Sequence, residues 1–315
     1  MIKAFHAYGT YNKIDIRDGI SESKMNEIIE KAFRLYRMLS AFLPESEVSL
    51  INKNAGIKET HISPETCSLL QKAIKYSELT GGAFDITIRP AVKLWNFGYQ
   101  TKKIPSRDEL VKIKELVNYK KLHINMDTST VFLEEPGQEI DLGGIAKGYA
   151  ADMIRNDLLK NGVRNGMMNF GGTILTIGEN SWNRPWRVGI QNPIRERGCR
   201  IGSIQPGEAA MVTSAVNERF FIKDNNLYHH LLDPDTLKPS QSGVYSVTAI
   251  GKEAADLDAL TTGLFVMGME KGIELAKKEG ICVIYLKSDG EIYASEALLK
   301  MNFIKERGNH DVEKN

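Results

Sequence analysis

Between residues 167 and 250 the chain carries one short β-type run after another, separated by turns and without a helical pattern among them. Apolar residues at helical spacing occur before and after this block, so helices and strands do not alternate strictly. Strict alternation indicates a doubly wound parallel sheet, whereas grouped strands indicate an α+β fold. The predicted strands of the block are Thr173–Ile177, Trp186–Ile190, Ala210–Thr213, Phe220–Ile222 and Tyr245–Ile250.

Capping signals mark several helices outside the block. Ser63 and Pro64 are typical of an N-cap and a first helical turn, and Ser106 with Glu109 has the spacing of a capping box. The predicted helices cover residues 25–39, a short segment before 52, 64–80, 106–117, 144–160, Ala254–Met267 and Lys271–Lys278. The predicted strands outside the block lie in 1–17, Leu122–Asn125, Val131–Leu133 and 281–286.

Composition excludes several classes of protein. The 315 residues are 42% hydrophobic and 26% charged, so the chain can bury a large core without disulfides. A formal net charge of +1 lacks the basic footprint of nucleic-acid binding. The three cysteines lie far apart with no CxxC, so neither a zinc cage nor a disulfide framework is predicted. We expect one domain over residues 1–305 and a disordered polar tail at 306–315.

The N-terminal residues and the hydropathy of the chain indicate in which compartment we expect the protein. Residues 1–10 contain no hydrophobic signal core and no lipobox cysteine. No run of eighteen apolar residues occurs, so no transmembrane segment is predicted. We expect a cytoplasmic protein, with an exported form that has lost its signal as the alternative.

The segment Glu139–Tyr149 resembles an anion-binding strand-turn-helix unit. A short apolar run ends in Gly143 and Gly144 and leads into a helix N-terminus, where backbone N–H groups and the helix dipole favour an anion. Lys147 adds a positive charge suited to a phosphate. An ordinary tightly packed turn explains the glycines equally well, because glycine-rich turns are common.

Asp258 and Thr262 are four residues apart, so on a helix they share one face. Two oxygen ligands on one face suit Mg²⁺, which takes one or two carboxylates together with phosphate oxygens and water. The alternative is a solvated helix face with an aspartate near the N-terminus. The apolar neighbours make this helix look buried, and an unpaired buried aspartate is costly, which favours the metal site.

A histidine pair precedes an Asp-Pro turn at Asp233 and Pro234. Adjacent side chains on a strand point to opposite faces, so at most one of His229 and His230 enters a site, as a general base or a phosphate ligand. The alternative is a surface or core histidine without a catalytic role.

Two further segments offer polar groups beside apolar surface. The hydroxyls of Thr213 and Ser214 at a strand end suit a phosphate or a flavin edge, although ordinary turn chemistry uses the same residues. Asp85 and Thr87, near Phe84 and Trp95, suit a ring-shaped ligand. A plain core of aromatic side chains is the alternative there.

Taken together and in this order, these motifs resemble the ApbE family of FAD:protein FMN transferases over about residues 4 to 300. The segments that carry the resemblance are Gly9–Thr10, Ser46-x-x-Ser49-x-x-Asn52, Phe84-Asp85-x-Thr87, Ile140–Asp152, Asn169–Gly172, Trp186–Ile190, His230–Pro234, Ser246–Ile250 and Ala255–Gly268. The fold that the resemblance implies is a compact, two-lobed, T-fold-like α+β architecture. Mixed or antiparallel sheets are flanked by helices, and the ligand cleft lies between the lobes.

The resemblance also implies roles for individual residues. Mg²⁺ is expected at Asp258, Thr262 and the backbone carbonyl of Ala146. The residues expected to act in catalysis are His230, Asp258 and Lys147, with either His230 or Asp258 as the base that takes the proton of the acceptor hydroxyl. The residues expected to bind FAD are Asn52, Asp85, Thr87, Asp141, Gly143, Gly144, Lys147, Gly171, Gly172, Thr213, Ser214 and His230.

The activity implied is Mg²⁺-dependent transfer of FMN from FAD to a threonine or serine hydroxyl of an acceptor flavoprotein, with release of AMP. Because the same residues would serve either reaction, a Mg²⁺-dependent FAD pyrophosphatase that yields FMN and AMP is one alternative. A non-catalytic FAD-binding protein is the other, and the presence of both metal residues speaks against it.

Four positions depart from the family pattern. Ala215 and Leu237 stand where the family has glycine, Asn217 where an aromatic residue is common, and Thr173 where Asp or Asn is usual. These departures affect the expected contacts to the flavin ring and leave the two metal residues in place.

Overall fold

An antiparallel sheet of eight strands forms the centre of the structure, a computed structural model that describes residues 1–97, 102–180 and 182–306. The helices are α1 Glu22–Leu39, α2 Glu47–Lys53, α3 Pro64–Leu79, α4 Arg89–Trp95, α5 Arg107–Ile113, α6 Ala146–Lys160, α7 Ala254–Met267 and α8 Met269–Lys278, with 3₁₀ turns at Lys114–Leu116, Tyr119–Lys121 and Glu296–Met301. The strands are β1 Ile2–Ala7, β2 Thr10–Ile16, β3 Thr60–His61, β4 Leu122–Asn125, β5 Thr130–Leu133, β6 Gly166–Phe170, β7 Thr173–Ile177, β8 Val188–Gln191, β9 Arg200–Ile204, β10 Ala209–Ala215, β11 Phe220–Lys223, β12 Asn226–His229, β13 Leu232–Asp233, β14 Lys238–Pro239, β15 Val244–Gly251, β16 Cys282–Lys287, β17 Ile292–Ala294 and β18 Ile304–Lys305.

The central sheet has the strand order β1-β2-β6-β7-β10-β15-β16-β17, and every neighbouring pair is antiparallel. Alternate residues along its strands enter two separate cores. Val212 and Val283 face the helices of the main core, whereas Met211 and Ile284 face the small sheet β8-β9-β18. The sheet is therefore covered on both faces, and the prediction of an α+β fold with antiparallel sheets and flanking helices is confirmed.

Helix α7 is the most deeply buried helix that borders the sheet. It packs on β10 and β15 and also contacts α3, α6 and α8. Ten of its fourteen residues are buried, because apolar side chains surround the helix instead of forming one stripe. Any polar side chain on α7 that points inward must therefore find its partners within the protein.

Helices α6 and α7 cross at Gly148. A β-carbon at this position would lie 2.2 Å from the carbonyl oxygen of Ala254, which no side chain tolerates. The carboxylate of Asp152 accepts hydrogen bonds from the backbone N–H groups of Ala254 (2.9 Å) and Ala255 (2.8 Å). An aspartate of α6 thus caps the N-terminus of α7, whose own N-cap residue makes no side-chain cap.

An aromatic cluster supports a hairpin beside this crossing. Strands β11 and β12 form the hairpin, and Phe221 and Tyr228 stack on each other with ring centroids 5.1 Å apart. The cluster continues to Phe97 and Trp95, and the Trp95 indole donates a hydrogen bond to the Leu237 carbonyl (2.7 Å). Leu237 has a φ of 58°, in the left-handed region, which explains why glycine suits this position.

Several predicted boundaries agree with the structure. Helix α7 covers the predicted Ala254–Met267, and the capping box of Ser106 and Glu109 is present. Helix α4 was not predicted, because its seven residues, which begin with Arg-Pro, give too short a periodic signal. No helix among the described residues is long and apolar enough to cross a membrane. Of the predicted tail at 306–315, all but Glu306 lies outside the described residues, and Glu306 pairs with Arg200 at 2.9 Å.

The close crossing of α6 and α7 predicts that Gly148→Ala destabilises the protein. The added methyl group meets backbone atoms that cannot rotate away, so the free energy of unfolding should fall by about 1–3 kcal/mol. Urea denaturation followed by circular dichroism measures this change. Gly19→Ala is the matched control, because a β-carbon at Gly19 meets nothing within 4 Å. Equal stabilities of the two variants would contradict the prediction.

Candidate active site

The carboxylate of Asp258 lies where α6 crosses α7 and is only 4% exposed. Its Oδ2 accepts a hydrogen bond from the backbone N–H of Gly148 at 3.0 Å. The Nζ of Lys147 lies 3.2 Å from Oδ1 and 3.3 Å from Oδ2. The first turn of α6 thus presents a backbone donor and an ammonium group to one buried carboxylate, and this contact brings two of the predicted motifs together.

The glycine turn before α6 lies against the same place. Lys147 Nζ donates a hydrogen bond to the Gly143 carbonyl at 2.7 Å, and the Gly143 N–H donates to Asp141 Oδ1 at 2.8 Å. A β-carbon on Gly144 would lie 3.4 Å from Thr262 Oγ1 and 3.0 Å from the Phe84 ring. The turn therefore passes directly over the second predicted metal residue, Thr262. The short strand predicted before the turn is reduced to an isolated bridge between Ile88 and Glu139.

Hydroxyl groups connect α7 to the end of β10. The Oγ of Ser214 donates to Thr261 Oγ1 at 3.0 Å, and Thr261 Oγ1 donates to the Asp258 carbonyl at 3.2 Å. Thr262 Oγ1 also lies 3.3 Å from that carbonyl. Thr213 differs, because its hydroxyl is paired with Thr248 across the sheet at 2.8 Å. Alternation along β10 places the two predicted hydroxyls on opposite faces, and Ser214 is the one that faces α7.

Three predicted FAD residues have their polar atoms engaged with the protein itself. Asn52 donates to the Ile140 carbonyl at 3.0 Å and accepts from the Ile140 N–H at 2.7 Å. Asp85 accepts from the Thr87 N–H at 2.7 Å and from the Thr87 hydroxyl at 2.6 Å. Burial raises the pKa of Asp85, although these hydrogen bonds oppose the increase. These side chains fix the loops around the glycine turn, and their contact with FAD stays a prediction.

A buried arginine supports the same loops. Arg89 lies 3.1 Å from Asp141 Oδ2 and 3.2 Å from Glu139 Oε2, and it also donates to the Ala41 carbonyl. Its guanidinium covers the Phe42 ring at 4.6 Å from the centroid. Arg89 thereby anchors the strand-like approach to the glycine turn.

The two histidines have different surroundings, as their alternation predicts. His229 is buried and packs edge-on against Phe265 of α7, with ring centroids 5.4 Å apart. His230 lies 3.3 Å from the Arg219 carbonyl through Nδ1. Burial lowers the pKa of His230 to about 3, and the positive charges of Arg219 and Lys147 act in the same direction. The ring of His230 is therefore neutral at neutral pH, and its pKa is the one of the two histidines that the charge of Lys147 affects.

The turn between β6 and β7 lies next to the turn between β1 and β2. Gly171 and Gly172 have φ values of 56° and 92°, which glycine adopts without strain. A β-carbon on Gly171 would lie 2.5 Å from the Thr10 hydroxyl, and one on Gly9 would lie 2.9 Å from the Arg219 guanidinium. The tips of these two turns therefore border the base of the β11-β12 hairpin, and the roles of Gly171 and Gly172 toward FAD stay predictions.

The residues predicted to bind Mg²⁺ fit a cation that substrate phosphate helps to hold. Within the described residues no three His, Cys, Asp or Glu side chains come together to hold a metal ion by themselves. The predicted set has one carboxylate, Asp258, with the Thr262 hydroxyl one helical turn further on and Ala146 buried at the start of α6. All donors are oxygen atoms, and Mg²⁺ typically takes few protein ligands and completes its shell with phosphates and water.

Four residues that hold this site together were not predicted from the sequence. Asp152 caps α7, Arg89 anchors the glycine turn, Thr261 connects Asp258 to Ser214, and Arg219 lies beside His230. The sequence offers a hint for Asp152, because it follows Lys147 by five residues on the helix that begins after the glycine turn. The other three act through contacts between segments distant in sequence, which spacing does not reveal.

Comparisons with known proteins agree with this geometry. Residues 8–285 match the model of the ApbE family. A FAD:protein FMN transferase of Klebsiella pneumoniae is 33% identical over 275 residues, which cover 87% of this chain and 85% of the relative. The corresponding protein of Vibrio cholerae is 32% identical over 282 residues, 88% of this chain and 84% of the relative. The chain belongs to the ApbE family.

Solved structures of the ApbE family share the whole fold. The ApbE protein of Thermotoga maritima superposes with a TM-score of 0.88 at 31% identity, covering 96% of this chain and 98% of that one. The flavin transferase ApbE of Vibrio cholerae superposes with a TM-score of 0.84 at 30% identity, covering 96% and 98%. The predicted membership of the ApbE family is confirmed, and the residue roles implied by that resemblance stay predictions.

The buried His229 predicts acid sensitivity of the fold. Burial lowers its pKa from 6.5 to about 4, so between these pH values the unfolded chain binds a proton that the folded protein does not. The free energy of unfolding should therefore fall as the pH drops from about 6.5 to about 4, and His229→Gln should make this fall smaller.

Thermal unfolding of wild type and variant across this pH range measures the effect. Asp152 contributes with the opposite sign, because burial raises its pKa to about 6, so the two proteins are compared at each pH. His61→Gln serves as the control, since this ring is exposed. An identical pH dependence of wild type and His229→Gln would show that His229 does not cause the effect.

Proposed function

We propose that this member of the ApbE family transfers FMN from FAD to a threonine or serine hydroxyl of an acceptor flavoprotein and releases AMP. The observation that carries the proposal is the convergence of Asp258, Thr262 and Lys147 at the glycine turn before α6. The relatives named FAD:protein FMN transferase, in the two bacteria above, support the same reaction.

The first turn of α6 is suited to a diphosphate. Its helix N-terminus and the Lys147 ammonium favour an anion, and the glycine turn lets a ligand approach the backbone closely. Asp258, Thr262 and the Ala146 carbonyl would hold Mg²⁺. When bound, this ion neutralises negative charge on the diphosphate oxygens, so that AMP becomes a better leaving group.

Transfer requires one oxygen–phosphorus bond to form and one to break. The acceptor hydroxyl oxygen attacks the phosphorus of the FMN half, the bond from this phosphorus to the AMP oxygen breaks, and AMP leaves with the bonding electrons. The acceptor hydroxyl loses its proton in the process. We propose His230 as the group that accepts this proton, because its ring is neutral at neutral pH. The positive charge of Lys147 opposes protonation of His230, and the negative charge of a bound diphosphate would offset it.

The reaction itself provides the first test. Purified protein is incubated with FAD and either Mg²⁺ or EDTA, with and without a soluble FMN-binding acceptor domain. We expect AMP release that depends on Mg²⁺, and flavin fluorescence on the acceptor band in a denaturing gel. Asp258→Ala should abolish both signals, because it removes the only carboxylate of the predicted metal set.

The outcomes separate the three functions. AMP together with free FMN, and no labelled acceptor, would identify a FAD pyrophosphatase. FAD that stays bound and intact with every acceptor would identify a flavin-binding protein and contradict the transferase. Lys72→Met is the control variant. Lys72 of α3 pairs with Asp256, which lies on α7 like Asp258 but outside the site.

The role of His230 gives a second prediction. His230→Gln should lower the rate of transfer by roughly 10²–10⁴-fold, the usual loss when a general base is removed. The affinity for FAD, measured by fluorescence quenching, should fall by less than the rate, because the proposed diphosphate site at α6 keeps Lys147 and loses only the contact expected from His230. His61→Gln controls for the loss of a histidine elsewhere on the surface. A His230→Gln variant with wild-type transfer would exclude His230 as the base.

A further inference from the structure

The ion pair between Lys147 and Asp258 raises a question about cation binding at the same carboxylate. Asp258 is 4% exposed, and burying a carboxylate is costly unless its charge is paired. Among the residues that the structure describes, Lys147 is the one cationic side chain that forms an ion pair with Asp258. The ammonium therefore stabilises Asp258 in the form of the protein that contains no FAD.

Lys147 contacts both oxygens of this carboxylate, so a second cation bound there would lie beside the positive charge of the ammonium. Its Nζ lies within 3.3 Å of both Asp258 oxygens, and Oδ2 also accepts the Gly148 N–H. The ammonium also donates a hydrogen bond to the Gly143 carbonyl at 2.7 Å. All three N–H donors thus have acceptors, and a divalent cation that takes Asp258 must displace an ammonium that is fully hydrogen-bonded.

A displaced Lys147 needs a new anion, and the diphosphate of FAD is the group that supplies one. The side chain of Lys147 is 23% exposed, so the ammonium can move away from Asp258 toward a ligand that approaches from solvent. Moving there pairs the ammonium with phosphate oxygens and leaves the carboxylate free for the cation. Binding of the two ligands is then energetically coupled, because each removes the obstacle to the other.

We propose that Lys147 blocks the cation position at Asp258 in the FAD-free protein and releases it when the ammonium moves to the diphosphate. This inference rests on the proposed function and adds an order to it, in which the cation binds tightly only together with FAD. Lys147 is then both a ligand of the diphosphate and a gate for the metal.

A second ion pair, between Lys72 of α3 and Asp256 of α7, provides a matched comparison. Lys72 pairs with Asp256, two residues before Asp258, and their side chains are 36% and 27% exposed. Water reaches this pair, so its loss should leave the buried carboxylate unchanged. Lys147→Met and Lys72→Met therefore each remove one positive charge that pairs with an aspartate of α7, the first inside and the second outside the site.

The experiment measures binding of Mn²⁺, which replaces Mg²⁺ and has an electron paramagnetic resonance signal that weakens on binding. Wild type, Lys147→Met and Lys72→Met are titrated with Mn²⁺ alone and with Mn²⁺ in the presence of saturating FAD. Without FAD we expect Lys147→Met to bind Mn²⁺ at least about tenfold more tightly than wild type, which corresponds to about 1.4 kcal/mol. FAD should raise the Mn²⁺ affinity of wild type and Lys72→Met by at least about tenfold, and that of Lys147→Met by less.

Equal Mn²⁺ affinities of wild type and Lys147→Met without FAD would overturn the inference and leave the transferase untouched. Mn²⁺ that binds to no form, even with FAD, would overturn the inference and also count against the metal in the proposed function. Circular dichroism checks that Lys147→Met is folded, and Lys147→Gln repeats the titration with a polar side chain if it is not.

Discussion

The approach of two helix backbones at Gly148 is the constraint on which the site depends. Only glycine allows α6 to lie so close to the first turn of α7, and this closeness delivers the Gly148 N–H and the Lys147 ammonium to Asp258. The Asp152 carboxylate holds the crossing by capping α7. The contact between α6 and α7 therefore contains the buried Asp258 carboxylate, the glycine turn and the hydroxyl of Thr262.

Much of this arrangement could be predicted from the sequence, because its signals are local. The four-residue spacing of Asp258 and Thr262, the glycines before Lys147 and the caps of the helices depend on neighbours along the chain. The interactions that could not be predicted join distant segments. Nothing near Thr261 in the sequence indicates that its hydroxyl connects Ser214 to α7. Likewise, the opposite directions of Thr213 and Ser214 follow only once the register of β10 is known.

The motifs of the family contain two kinds of residue. Some side chains hold the loops of the site in place, and others have contacts that a ligand can replace. Asn52 and Asp85 match positions expected to line the FAD site, yet their polar atoms already bond to backbone groups of the protein. Such residues make the site rigid before a ligand arrives, which lowers the entropic cost of binding. The contacts of Lys147 and His230 can be replaced by contacts to a ligand, and these two residues are the ones expected to act in the transfer reaction.

The position of His230 at the base of a two-stranded hairpin has a consequence for how its ring is held in place. The backbone N–H of His230 donates to the Arg219 carbonyl, so this hydrogen bond closes the hairpin at the end where the imidazole lies. A pair of short strands opens at a lower free energy than an eight-stranded sheet, because few hydrogen bonds and contacts must break. Opening of this hairpin alone would displace the imidazole of His230 while the central sheet stays folded, so the position of this ring depends on the aromatic side chains that hold the hairpin closed.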